Sequence, residues 1–263
     1  MTGVLARPSA QSLASAWSGL RRLERICYLV GALLVASGVF HLGVLLVRGG
    51  GLNGPLSWRK PTTFGLSFGL TLITVTWVAS YLTLGSRART WLLGVFAADC
   101  VVEVAGITIQ AWRRVPSHFD TETPGSTVIA MSLAVGGAVL VVVLGALAVT
   151  AFRGRIAAEP DMRRALQAGF AFLVVGLATG VAMIAKGEIL INTGHRQKAY
   201  DTAGSLKWVH GVTLHAILVL PLVAALLAAR GRPVEQRSRA VTIGTWAYGV
   251  ATVAAVALSL LAG

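Results

Sequence analysis

Charged side chains are scarce: Asp, Glu, Lys and Arg make up 13% of the 263 residues, about half the share of an ordinary soluble domain. So small a polar complement cannot clothe a water-soluble fold of this length. With 55% hydrophobic residues and a mean hydropathy of +0.73, the composition is that of a membrane protein. Acidic residues are scarcest, 10 against 23 Lys and Arg, for a net charge of +13. That surplus sits in short segments between apolar runs rather than on one basic face, so nucleic acid is not needed to explain it. Cysteine is limited to Cys27 and Cys100, each inside an apolar run, which excludes a disulfide framework and a CxxC metal knuckle.

Other absences narrow the chemistry. Residues 240–263 contain no lysine, so a retinal Schiff base in the last helix is excluded. Five histidines are too few for the clustered histidine boxes of membrane di-iron desaturases and hydroxylases. No HExxH motif, Walker lysine loop or GxSxG elbow occurs, which removes the hydrolases that depend on them.

What is present is a series of long apolar runs. A hydrocarbon core about 30 Å thick takes roughly 20 helical residues, and seven runs qualify, near 26–47, 63–84, 90–112, 127–152, 167–191, 207–229 and 240–262. The expected fold class is all-α, a polytopic integral membrane bundle of seven transmembrane helices. The first run is too long for a signal-peptide core and lacks a small-residue cleavage site, so it reads as an uncleaved span. Fourteen Lys and Arg fall in the segments 1–25, 85–89, 153–166 and 230–239, against eight in 48–60, 113–114 and 196–207. The positive-inside rule therefore puts the N-terminus in the cytoplasm and the C-terminus outside. Ala10, Leu13, Trp17 and Leu20 recur at helical spacing ahead of Arg21 and Arg22, which makes residues 1–25 an amphipathic interfacial segment before one domain over 26–263. Glycine pairs at Gly65/Gly69 and Gly176/Gly180 allow close helix contact in lipid.

The unusual polar residues fall on the expected outer side. Counting 1.5 Å of helix rise per residue places His41, Glu103 and His215 roughly 9–14 Å below the outer boundary, in one layer. His210 lies above them and His118 near the surface, so four of the five histidines line a predicted funnel. Cys100, Glu103, Ile107 and Gln110 follow helical spacing and turn a partly polar face of the third span inward. A carboxylate at that depth must be paired, protonated or hydrated, which makes Glu103 the foremost functional candidate. His210 and His215 are five apart, about 140° around a regular helix, and do not chelate one ion together. Arg59, Lys60, Arg113 and Arg114 are positioned to clamp an anion such as a carboxylate, a phosphate or a haem propionate; alternatively they snorkel to lipid headgroups, with Trp58 and Trp112 in an interfacial aromatic belt.

Three segments carry a resemblance: Trp58-Arg59-Lys60-Pro61 before the second span, Gln110-Ala111-Trp112-Arg113 running to Ser117-His118-Phe119, and Gly204-Ser205-Leu206 leading into His210 and His215. In these the chain resembles a family of uncharacterised bacterial seven-helix membrane proteins with Trp-x-Lys-Pro, Gln-Ala-x-Arg to Ser-His-Phe, and His-x4-His segments. Asp120 stands where that pattern has Asn, and Val209-His210-Gly211 where it has Pro-His-Phe. The resemblance implies a multi-pass protein of the bacterial cytoplasmic membrane and names no reaction.

Three functions fit these residues. In the first, the outward-facing His/Glu site binds haem b or a transition metal for redox or metal handling. His41 and His215 are its axial or metal ligands, His118 and His210 a second pair, and Arg59, Lys60 and Arg113 neutralise propionates. In the second, Glu103 titrates in a proton-coupled transporter. In the third, a lipid or isoprenoid is converted with Glu103 as acid and His118 or His210 as base. The expected partners are the bilayer and an anionic or lipophilic small molecule.

Overall fold

A computed structural model describes residue 15, residues 17–51, residue 54 and residues 56–261. Among the described residues the named α-helices follow in order: α1 (Arg22–Arg48), α2 (Arg59–Ala79), α3 (Ser86–Arg113), α4 (Pro124–Phe152), α5 (Pro160–Asn192), the short α6 (Arg196–Thr202), α7 (Lys207–Ala229) after a 3-10 turn at Ala203–Leu206, and α8 (Val234–Leu261). Seven of these are long and apolar enough to cross a membrane, with α6 continuing into the sixth crossing. The protein is a multi-pass, all-α membrane bundle. Among the described residues the sole strand-like feature is one antiparallel bridge, Leu82 to Ile156. Of the predicted interfacial helix, Ala10 and Leu13 lie outside the described residues; Trp17 is exposed and sets its ring 6.4 Å from that of Tyr28.

The helices differ from the apolar runs at their ends, for identifiable reasons. α2 starts four residues before the run, because Pro61 is tolerated in a first turn, where its missing N–H has no intrahelical duty. Arg59 and Lys60 thereby become helical. α2 also stops early, at Ala79, where Tyr81 and Thr83 pair with the segment after α4 through Ala157 N–H to Tyr81 O (2.8 Å) and Thr83 N–H to Arg155 O (2.9 Å). α4 opens on Thr123, whose Oγ1 accepts from Ser126 N, with Pro124 at the first helical position. α5 begins at Pro160, where Asp161, Met162, Ala165 and Leu166 already face the interior while Arg163 and Arg164 face outward. Counting apolar residues cannot find such an amphipathic turn.

In lipid, helices associate by packing rather than by expulsion from water, so small residues set the closest contacts. The two most extensive pairings, α1 with α2 and α5 with α7, both run on glycine. A Cβ on Gly65 would stand 2.6 Å from Gly38 N and 2.9 Å from Leu34 O, and one on Gly69 would stand 2.6 Å from Gly31 O. Gly169 meets the Ile217 backbone, and Gly176 meets Thr213 and Leu214. Backbone cannot yield as a side-chain tip can, so Gly65→Ala is expected to cost about 1–3 kcal/mol, read as a lower denaturation midpoint in detergent.

α3 and α4 bridge these two pairs, α8 lies against α7 and α5, and α2 touches α7 along a short stretch. One apolar core results, with Leu72, Phe96, Leu147, Phe170, Leu173 and Ile217 fully buried and both cysteines sealed within it.

The face at which α1 begins is tied by two buried arginines. Arg89, in the first turn of α3, donates to Ala79 O (2.6 Å) and Leu82 O (2.9 Å) at the end of α2 and lies 3.8 Å from Glu24 of α1. Arg237 of α8 is bound to Glu159 and lies 3.4 Å from Asp161 Oδ2, both at the start of α5. Sequence counting treats Arg89 and Arg237 as loop charge, whereas both side chains are largely buried.

Candidate functional site

α3 carries the least ordinary chemistry. Asp99, near the midpoint of this 28-residue helix, and Glu103, one turn further on, are both buried. At i and i+4 they share a helix face, and that face looks onto Gly136 of α4. A Cβ built on Gly136 would stand 2.6 Å from Glu103 Oε1 and 2.7 Å from Asp99 Oδ1. The glycine thus opens the niche that the two carboxyl groups fill. Asp99 Oδ2 is buried without a hydrogen-bond partner, and among the described residues no Lys, Arg or His forms an ion pair with either acid. Two ionised carboxylates buried this close together repel and lose hydration, so the arrangement favours a shared proton over two charges.

Glu103 is thus buried on an inward face, as its spacing predicts, but its neighbours are Asp99 and Gly136 rather than histidine. Asp99 escapes a reading that follows the Cys100–Glu103–Ile107–Gln110 stripe. Its signal is an acid four residues before Glu103 inside the same apolar run.

The four histidines of the predicted funnel occupy four separate environments. His41 of α1 is buried; its Nδ1 donates to Ser37 O (2.8 Å), and its Nε2 accepts from the Trp112 indole N–H (3.1 Å). Because a carbonyl can only accept, this fixes the neutral Nδ1–H tautomer and commits the remaining lone pair to Trp112. Trp58 stacks on the same imidazole at 6.4 Å and meets Trp112 edge-on at 4.9 Å, while the Arg48 guanidinium lies over both indoles at 5.8 and 5.3 Å. The two tryptophans of the predicted aromatic belt therefore enclose a histidine and a cation.

His210 of α7 donates from Nδ1 to Gly176 O of α5 (2.8 Å), with its ring laid against Gly180. His215 is exposed and bonds the Gly211 carbonyl of its own helix. The structure does not bring His41 and His215 together: one is held among α1, α2 and α3, the other lies on the outer surface of α7. Chain position gives no azimuth around the helix, and azimuth is what separates the buried His41 from the exposed His215. Among the described residues no group of three or more His, Cys, Asp and Glu is placed to hold a metal ion.

His118 belongs to a different group, in the loop between α3 and α4. Gln110, fully buried, secures this loop by donating to Pro116 O (3.3 Å) and accepting from Arg113 (2.7 Å). Arg113 is turned toward Gln110 and Thr123 and does not share the partner of Lys60. Arg114 takes the left-handed conformation that ends α3, at φ +57°, and Phe119 is also left-handed, at φ +65°. So unfavourable a φ for an aromatic residue requires support. The Phe119 ring has it, lying where a Cβ on Gly187 of α5 would come within 2.2 Å.

This folded loop brings Ser117 to Lys60. Lys60 Nζ donates to Ser117 Oγ (3.3 Å), and Ser117 Oγ lies 3.0 Å from His118 Nδ1. A hydroxyl that accepts from an ammonium is free to donate to the imidazole, which leaves the His118 proton on Nε2. Two of the three segments behind the family resemblance, Trp58–Pro61 and Ser117–Phe119, thus meet in space. Burial first, and the Lys60 ammonium second, push His118 down to about 4, so it is neutral at pH 7. A depressed histidine favours the unfolded chain once that chain protonates, near 6.5. The stability that His118 contributes is therefore expected to be complete above about pH 6.5 and lost as the pH falls toward 4, a loss that His118→Gln should reduce in a pH series of denaturation midpoints.

Comparison with known protein families, with curated proteins and with solved structures finds no match for the chain.

Proposed function

We propose that this protein is a proton-coupled membrane transporter in which Asp99 and Glu103 take up and release the coupling proton at mid-membrane. One observation carries the reading: two buried carboxyl groups meet across Gly136, one oxygen is unpartnered, and among the described residues no basic side chain forms an ion pair with them. Such a pair is expensive to build into a bilayer unless its protonation is used. The excess of arginine on the face where α1 begins supports a cytoplasmic N-terminus, in a bacterial cytoplasmic membrane as the family resemblance implies.

The geometry favours this over a haem or metal site. A ligand role for His41 requires the lone pair that Trp112 already occupies, and His215 points away from the bundle interior. Acid–base conversion of a lipid would need Glu103 and either His118 or His210 on one substrate, and the three lie in different environments.

The test is proton movement in proteoliposomes loaded with a pH-sensitive dye, under an imposed membrane potential and with a mixed panel of small ions and metabolites outside. Wild-type protein is expected to acidify the lumen, and Glu103→Gln and Asp99→Asn to fall to the rate of empty liposomes. A wild-type rate equal to that of empty liposomes, or unimpaired acidification in both variants, overturns the reading.

A further inference from the structure

Lys60 presents a half-buried ammonium whose hydrogen-bond partner is the neutral hydroxyl of Ser117. Among the described residues no carboxylate lies within ion-pair distance of it. The acids of the adjacent loop are turned elsewhere: buried Asp120 accepts from Glu122 N (3.0 Å), and Glu122 pairs with Arg196 (3.0 Å). A cation partly withdrawn from water without a counter-ion is costly, and here the cost is built in. Pro61 and the first turn of α2 fix Lys60, Gln110 secures the loop, and the Phe119 ring against Gly187 fixes the backbone next to His118. Phe64 and Phe119 wall the imidazole at 6.2 and 6.1 Å.

We propose that this face of the bundle holds a binding site for an oxyanion, a carboxylate or phosphate group, to which Lys60 supplies the positive charge and His118 Nε2–H a hydrogen bond, while Ser117 Oγ, between the two, holds both in place. A neutral imidazole suits the role, since its Nε2–H is already directed by the bond at Nδ1 and no second cation has to be accommodated beside Lys60. A free anion and the headgroup of an anionic phospholipid offer the same chemistry, and the experiment separates them. The site stands without the proton reading: dye acidification tests one and ligand-induced stabilisation the other.

The experiment follows the melting temperature of the purified full-length chain in a neutral detergent as inorganic phosphate is added, against sodium chloride of equal ionic strength. In parallel, the protein is melted in nanodiscs of phosphatidylcholine with and without phosphatidylglycerol. Phosphate is expected to give a saturable upward shift that chloride does not, as binding to the native state alone requires. The shift should be lost in Lys60→Gln, weakened in His118→Gln and largely kept in Lys60→Arg. A shift with phosphatidylglycerol but not with phosphate, lost in Lys60→Gln, identifies the ligand as a lipid headgroup and supports the site. No shift with either, or an undiminished shift in Lys60→Gln, overturns it. Should Lys60→Gln fail to fold, the ring nitrogen resonances of His118 in the wild-type protein decide: they move with phosphate if the site exists and stay fixed if it does not.

Discussion

Gly136→Leu is expected to slow proton-driven acidification sharply while the protein still folds and inserts. The atoms nearest to a Cβ at this position are Glu103 Oε1 and Asp99 Oδ1, at 2.6 and 2.7 Å. Both are ends of flexible side chains, so a larger residue displaces the acids before it separates α3 from α4. Moving either acid off its shared niche need cost only about 1.4 kcal/mol to slow the process tenfold, so a fall of roughly tenfold or more is expected, with Gly136→Ala in between. The control is the contrast with Gly65→Ala, whose added methyl meets backbone. That variant is expected to lose stability and to keep its rate per folded molecule. Dye acidification and detergent denaturation measured on both proteins separate a site from a packing contact. Equal rates per folded molecule for Gly136→Leu and wild type would remove the acid pair from the mechanism.

The second large effect is expected at Arg89. Arg89→Ala strips the hydrogen bonds from the carbonyls of Ala79 and Leu82 and leaves the half of Glu24 that faces Arg89 without its cation. Removing one member of a buried charged group typically costs about 3–5 kcal/mol, most of it the penalty on the partners left behind. Lysine is a poor substitute, because a single ammonium cannot reproduce the fork that reaches two carbonyls and a carboxylate at once. Arg89→Lys should therefore recover only part of the loss. The measurement is an equilibrium denaturation midpoint in detergent. A midpoint for Arg89→Ala within 1 kcal/mol of wild type, the scale of an exposed ion pair, would show that water reaches this corner.

The seven crossings are legible in the sequence because hydrocarbon enforces a single rule, a long apolar helix with its backbone satisfied within itself. The helix ends are not, since the polar first turns of α2 and α5 carry Arg59, Lys60, Asp161 and Arg163, which a count of apolar residues reads as loop. Glu103 stands out as an acid in an apolar run. Asp99 is equally visible by type, but its importance depends on a glycine 37 positions further along the chain. The histidines show the limit most clearly. His41, His210 and His215 all belong to spans, yet whether such a ring meets an indole, a carbonyl or lipid depends on how its helix is rotated and which helix is adjacent. Neither is encoded by local pattern. Arg89 shows the converse, a residue that counts as loop charge and is in fact a buried clasp.

The two clasps share one end of the molecule. Among the described residues, the ion pairs with a largely buried arginine, at Arg89 and Arg237, both lie where α1 begins. The pair at the opposite end, Arg196 with Glu122, is exposed on both sides at 42% and 71%. Exposed pairs of that kind hold little. Heat or detergent that strips exposed ion pairs therefore leaves the arginine rivets in place, and the end where Lys60, Ser117 and His118 are gathered relies on hydrogen bonds and ring packing instead.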